Sequence, residues 1–273
     1  MDENMMPDNY ISSAQNHKVK RLLLLQQKSA ERRREGVFVV EGQRELSHCL
    51  EGGYEIESVF CCPDYMNDEA LRLLRSLDSG VRRFEVTKEV YERIAYRGST
   101  EGMIAEVRMR DAALNSLLLG EQALVVVLER VEKPGNLGAV LRSADAAGAD
   151  AVIVCDPLTD LYNPNLIRSS IGAVFTVPCV ACSSEECIAF LKRNGIHILT
   201  AQLQDSSLYY NTDMRESTAI VMGTESTGLT SQWREAADAH IRIPMLGKLD
   251  SLNVSVSAAI LLFEAVRQRQ GVL

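Results

Sequence analysis

No apolar run in this 273-residue chain approaches the ~20 residues that a bilayer-spanning helix needs; Ala123 to Leu128 is typical of the longest. The opening stretch, MDENMMPDNY, holds no basic cluster ahead of an apolar segment, so the protein is expected to be unexported, soluble and cytoplasmic. Seven cysteines, two of them adjacent at Cys61 and Cys62, follow no framework spacing and sit mostly among apolar residues. That argues against a disulfide scaffold and fits reduced thiols. Four histidines, His17, His48, His197 and His240, form no spaced pair, so metal-dependent hydrolysis has no support and no metal is expected. Cys179-x-x-Cys182, with Cys187 and His197 nearby, has some of the chemistry of a zinc site, but no second C-x-x-C accompanies it. These cysteines are therefore read as buried structural residues. G-x-G-x-x-G is absent, and the glycine-rich Gly223 to Gly228 is followed by Leu229-Thr230 rather than Lys-Ser/Thr. A dinucleotide fingerprint and a P-loop are both excluded.

What is present starts with an uneven charge. The net charge of −8 opposes nonspecific binding of nucleic acid by the whole surface. From Gln15 to Glu35, however, Lys18, Lys20, Arg21, Lys28, Arg32, Arg33 and Arg34 outweigh Glu31 and Glu35, a local balance of +5, whereas residues 111–273 sum to −6. A polyanion would meet the N-terminal end first, and Lys18, Lys20, Arg21, Arg32, Arg33 and Arg34 are the candidate RNA contacts. The plainer reading of such a run is a solvated helix face.

The length suits two medium domains. Residues 1–110 alternate short elements: a helix capped by Ser12 or Ser13 and running to about Lys28, a strand at Val37–Val40, a helix at Arg44–Glu51, and a strand at Ile56–Cys61. A helix at Asp68–Leu77, a segment at Val81–Val86, another at Lys88–Ala95 and a last one at Met103–Val107 complete a small α/β domain. Residues 111–122 read as a linker. Beyond it, Leu124–Leu128, Ala151–Cys155, Phe175–Val180, Ile196–Ala201 and Ala219–Met222 are near-continuous Val/Ile/Leu strands. Helices at Asn136–Ala147, around Leu161–Gly172, at Ser184–Lys192 and from Val254 to Val266 separate or follow them, which implies a mostly parallel sheet covered on both faces over 123–273. Ligands on such sheets lie beyond the carboxyl ends of the strands.

Three loops of this second half carry functional polar groups. In "VEKPGNLGAVLRSADAAGAD", Asn136 is a suitable helix N-cap and Arg142 lies six residues on, in an apolar setting that a capped helix does not explain. "IVMGTESTGLT" runs a strand into a glycine turn bearing Glu225. "IPMLGKLDSLNVSVSAAILLFEAVR" breaks at Pro244 and Gly247 and then starts an apolar helix with Asp250 or Ser251 as cap. In "DPLTDLYNPNLIRSS", Asn163, Asn165 and Arg168 could approach RNA or a second subunit, and helix capping accounts equally well for the asparagines.

Taken in order and at these separations, "NLGAVLRSADAAGA", "MGTESTGL" and "IPMLGKLDSLNVSVSAAILLFEAVR" resemble the three motifs of the SpoU (TrmH) family of RNA ribose 2′-O-methyltransferases, of the SPOUT class, over residues 124–270. The basic "KVKRLLLLQQKSAERRREGVFVVEGQREL" is similar, more loosely, to the L30e-like substrate-binding domain that often precedes the catalytic one. The resemblance implies an α/β trefoil knot after a small α/β RNA-binding domain, a homodimer through the C-terminal domain, and S-adenosylmethionine as cofactor. It places cofactor contacts at Gly223, Ile243 and Leu252, with Met222, Pro244 and Met245 lining the same pocket, and a catalytic set at Asn136, Arg142, Glu225, Ser251 and Asn253. Asp145 to Ala147, "DAA", stands where many members have an aromatic residue. The implied activity is 2′-O-methylation of structured RNA, ribosomal before transfer RNA. The rival is a noncatalytic ribosome-assembly protein of the same fold.

Overall fold

The computed structural model describes residues 9–96, 101–224 and 227–270. The chain divides into two compact units: the N-terminal stretch through Arg110 joined by Tyr162–Thr176, and Asp111–Leu161 joined by Val177 onward.

The first unit contains β1 (Tyr10–Ile11), α1 (His17–Gln27), α2 (Ser29–Glu35), β2 (Val37–Glu41), α3 (Gln43–Glu51), β3 (Ile56–Cys61), α4 (Asp68–Ser76), β4 (Arg82–Val86), α5 (Lys88–Ile94) and β5 (Met103–Arg108). Its sheet has the order β1-β4-β3-β5-β2, with β5 antiparallel to both β3 and β2. Neither serine expected as the cap of α1 fills that role; Asn16 does, its Oδ1 accepting the Lys18 N–H at 2.9 Å. The expected helix ends at Gln27, close to the expected Lys28, and a second helix that was not expected follows it. Lys28 turns extended, α2 restarts at Ser29, and Gly36 ends it with a left-handed φ of 64°. Val19, Leu22 and Leu25 of α1 bury their faces against Val37 and Val39 of β2 and Phe60 of β3.

The second unit contains β6 (Leu124–Glu129), α6 (Pro134–Ala146) and β7 (Ala151–Cys155). The segment that follows, with α7 (Pro164–Ser169) and α8 (Ala173–Thr176), belongs to the first unit. Sequence patterning assigns it to the second domain as one helix around Leu161–Gly172, because local period carries no information on which core a helix joins. Aromatic packing decides its place: the Tyr162 ring stacks on Phe38 at 4.4 Å, Phe175 lies 5.7 Å from Phe38 and 5.1 Å from Tyr54, and Ile171 O lies 2.8 Å from His48 Nδ1. The expected strand at Phe175–Val180 begins later for the same reason, as β8 (Cys179–Cys182).

The remaining elements are α9 (Ser184–Arg193), β9 (His197–Ala201), β10 (Ser207–Leu208), β11 (Thr218–Met222), α10 (Ser231–Ala236), β12 (Ala239–Arg242) and α11 (Val254–Arg269). Seven strands in the order β10-β12-β9-β11-β6-β7-β8 form a sheet in which every pairing is parallel. The mostly parallel α/β arrangement expected from the apolar runs is present; β10, β12 and α10 are additions that short, polar segments concealed. One face buries Val125, Val127, Ile153, Ile198 and Val221 against α9 and the fully buried Trp233 of α10. At the far end of α11, Arg269 donates to the carbonyls of Gln122, Ala123, Met214 and Glu216 at 2.5–3.1 Å, locking the last turn onto the starts of β6 and β11. Among the described residues no helix is long and apolar enough to cross a membrane.

Candidate active site

A cavity of about 460 Å³ opens beyond the carboxyl ends of β9, β11 and β12, where ligands bind on parallel sheets. Its walls come from three loops: Gln202–Gln204 after β9; Gly223, Thr224 and Thr227–Leu229 after β11; and Ile243, Met245 and Asp250–Leu252 between β12 and α11. Gly223 has a steric reason to be glycine. A Cβ there would run into the backbone of Gly228 and Leu229, because the turn folds back on itself through Gly228 N–H donating to Thr224 O at 3.0 Å. Gly228 itself has a left-handed φ of 66°.

Behind this turn stands Glu129, a carboxylate at the end of an otherwise apolar strand and 2% exposed. It accepts the Thr230 N–H at 2.9 Å and the Thr230 hydroxyl at 2.7 Å, fixing the exit of the loop where α10 begins. Sequence reading missed Glu129; the signal was available, as a charge closing the run Leu124–Leu128.

The third loop ends at a different cap from the expected one. Neither Asp250 nor Ser251 caps α11. Asn253 does, its Oδ1 accepting the Ser255 N–H at 3.0 Å, while the Ser251 hydroxyl turns to Asp250 at 3.2 Å. Asn253 also reaches the first loop: its Nδ2 donates to Asn136 Oδ1 at 3.1 Å. Asn136 is not an N-cap either. Pro134 takes the first helical position, where its missing N–H costs nothing, and Asn136 lies inside the first turn.

Of the residues expected to hold a cofactor, Met222, Gly223, Ile243, Met245 and Leu252 line the cavity, and Pro244 does not. Of the expected catalytic set, Ser251 lines it; Asn253, hydrogen-bonded to Asn136, does not line it but stands in sequence between the lining residues Leu252 and Val254. Glu225 lies outside the described residues. Arg142 is exposed on α6 and does not line the cavity of its own chain; six residues from Asn136, it projects about 120° away around the helix. Sequence reading also missed Gln202, Arg234, Arg242 and Asp250 as wall residues, the last known only as a cap candidate.

The basic N-terminal residues divide. Lys20 and Arg33 are exposed, and Lys18 lies over the Phe84 ring at 4.2 Å. Arg34 is exposed and pairs with Glu31 and Glu35. Arg32 must be withdrawn as an RNA contact: it is 2% exposed, and Nη1 donates to the carbonyls of Leu25 and Gln26 at 2.6 and 3.2 Å, closing the end of α1. Arg21 is likewise committed, to Glu35 and Glu106 at 2.6 Å each. Burial pushes the Glu35 carboxyl up, but hydrogen bonds from Arg21 and Arg34 prevail and hold it below the ordinary carboxylate range. Asn163 is a cap, its Oδ1 accepting the Asn165 N–H at 2.8 Å, and Arg168 sits with it in the first unit.

The profile of the SpoU rRNA Methylase family matches residues 123–263, more than half of the chain. The chain belongs to the SpoU rRNA methylase family. The profile of the MRM3-like substrate binding domain matches residues 16–105. Among SpoU relatives, the 23S rRNA (guanosine(2553)-2′-O)-methyltransferase RlmP of Bacillus subtilis is 29% identical over 253 residues, 93% of this chain and 97% of that protein. The crystal structure of an RNA 2′-O ribose methyltransferase is 39% identical with a TM-score of 0.84, covering 96% of this chain and 99% of that one. The SpoU methyltransferase AviRb from Streptomyces viridochromogenes, in complex with AdoMet, is 28% identical with a TM-score of 0.88, covering 95% and 100%. The α/β fold expected for a SpoU protein of the SPOUT class is therefore the fold of this chain.

Proposed function

We propose that this protein transfers a methyl group from S-adenosylmethionine to a ribose 2′-hydroxyl of large-subunit ribosomal RNA. The observation that carries the reading is the cavity joining the second and third motif loops at the strand ends of a chain that matches the SpoU profile. Names of relatives, such as the B. subtilis 23S rRNA enzyme, support ribosomal RNA.

The residues present fit the cofactor. Met222, Ile243, Met245 and Leu252 offer apolar walls, the Gly223 turn brings backbone close, and Asp250 with Arg234 and Arg242 offers both signs of charge for a ligand that is cationic at sulfur and ammonium and anionic at carboxylate. A cavity of this size suits a ligand of that class. When bound, the cofactor supplies a methyl group already activated as a sulfonium. The protein has only to align the hydroxyl and accept one proton. Arg142 grips a phosphate beside the target ribose through paired guanidinium donors. Glu225 orients it, and Asn136, Asn253 and Ser251 hold the ribose edge.

The reading includes a homodimer in the cytoplasm, paired through the second unit. Support comes from α11, whose Val256 and Phe263, seven residues apart and so on one face, are 47% and 49% exposed, and from Leu246 and Leu249, 97% and 75% exposed beside the cavity. A second copy over this face would cover apolar area and bring an arginine to a cavity that its own Arg142 does not line. Residues 1–110 serve as the RNA-holding domain, with Lys20 and Arg33 as exposed phosphate contacts.

Mapping 2′-O-methyl positions across total RNA with and without the gene tests the substrate: loss at one position of large-subunit RNA is expected, and loss only in transfer RNA, or none, overturns it. Arg142→Ala should lower transfer at least 100-fold while S-adenosylmethionine affinity measured by calorimetry changes little.

A further inference from the structure

We propose that Cys155, Cys182 and Cys187 form a three-thiolate site for a thiophilic closed-shell cation, zinc(II) above all, at the β8 edge of the seven-stranded sheet. Their three sulfur atoms all lie within 4.8 Å of one another. Zinc–sulfur bonds of about 2.3 Å hold neighbouring sulfurs about 3.8–4.0 Å apart, so the cluster needs only a small contraction to close on an ion. The arrangement is built by three elements rather than by a flexible loop. Cys155 ends β7 and Cys182 ends β8, and the two are direct partners across that parallel pair. Cys187 descends on them from the first half of α9, whose start is fixed by the reciprocal bonds of Ser183 and Glu186.

Cys155 and Cys187 are fully buried and Cys182 is half-buried, so two ligands are shielded and the third leaves an entry path. Soft sulfur donors select against magnesium and calcium, which take oxygen. Three thiolates around zinc(II) carry one net negative charge. That charge lies by the amino end of α9, where the helix dipole favours it. Cys179, three residues earlier on the same strand β8, is not in the cluster; parallel-strand alternation, not the C-x-x-C spacing, selects the ligands.

The site lies at the ends of β7 and β8, away from the cavity at β9, β11 and β12, so its function is to fasten an exposed sheet edge to the helix that covers it. The test uses the full-length chain, stripped with chelator under reductant, loaded with zinc(II), gel-filtered and assayed by elemental mass spectrometry. One zinc per chain is expected, with S-adenosylmethionine affinity unchanged within about twofold. Cys182→Ser and Cys187→Ser should each weaken zinc at least tenfold in chelator competition, and Cys179→Ser and Cys61→Ser should not. No retained zinc, or full loading of the Cys182→Ser/Cys187→Ser double variant, overturns the proposal. Should those variants fail to fold, the unaltered protein decides: cadmium(II) must produce thiolate charge-transfer absorption, and zinc must protect these three cysteines and not Cys179 from alkylation.

Discussion

Gly223 and Asn253 meet opposite demands at the same cavity, one by having no side chain and the other by using every atom of its own. Gly223→Ala puts a methyl group into the backbone of Gly228 and Leu229, so the turn must open. S-adenosylmethionine affinity should fall at least tenfold by calorimetry, with far-ultraviolet circular dichroism unchanged. Asn253 both caps α11 and meets Asn136, and the two duties separate by substitution. Asn253→Ala should cost about 1 kcal/mol in urea unfolding as a lost cap. Asn253→Ser keeps the cap, cannot reach Asn136, and should keep the midpoint while lowering turnover. Glu129 is a third case, a buried carboxylate holding Thr230. Glu129→Ala leaves the Thr230 donors without their acceptor and should destabilise by about 1–3 kcal/mol.

At the scale of elements, α11 and the α1–α2 pair are tied by polar residues that their sequence period does not announce. Arg269 ties α11 to four carbonyls, and Arg269→Ala should lower the unfolding free energy by about 2–4 kcal/mol, since several carbonyls lose a charged donor together. The Arg21–Glu35 pair ties α1 to α2. Because the folded Glu35 carboxyl lies below its ordinary value of 4.5, its stabilisation is complete above that pH and disappears as pH falls through the folded value. The melting temperature should hold down to about pH 4.5 and drop below it, with a shallower drop in Glu35→Gln. These ties explain what could be read from sequence alone. Long apolar runs announced β6, β7, β9 and β11, and helical spacing announced α1, α3, α9 and α11. Caps were misplaced at Ser12 or Ser13, Asn136 and Asp250 or Ser251, since several polar residues stand near each helix start and only tertiary geometry selects one. Arg32 and Arg21 read as surface charge because a basic run does not reveal which guanidinium will find buried carbonyls or carboxylates.

For the whole molecule, the motif loops were legible as a set because cavity-building glycines and asparagines have few other reasons to recur in that order, whereas Gln202, Arg234 and Arg242 entered the walls from segments with no motif. Binding of RNA through phosphates should weaken as salt rises, and Lys20→Ala with Arg33→Ala should reduce the slope of log affinity against log salt by about 1–2. Arg32→Ala should instead lower stability. Tyr162 and Phe175 belong to the core of the first unit, yet they follow β7 of the second. As the nascent chain leaves the ribosome, Phe38 and Tyr54 must therefore wait, unfilled, for some fifty residues of another unit to emerge after Arg110. A fragment ending at Arg110 should show a weaker near-ultraviolet circular dichroism than the first unit in the full chain, since Phe38 and Tyr54 lose Tyr162 and Phe175 while Phe60–Phe84 and Tyr65–Tyr91 remain. Synthesis of the first unit is thus completed only when the second is already under way, so an abandoned translation product ending before Tyr162 holds neither unit whole.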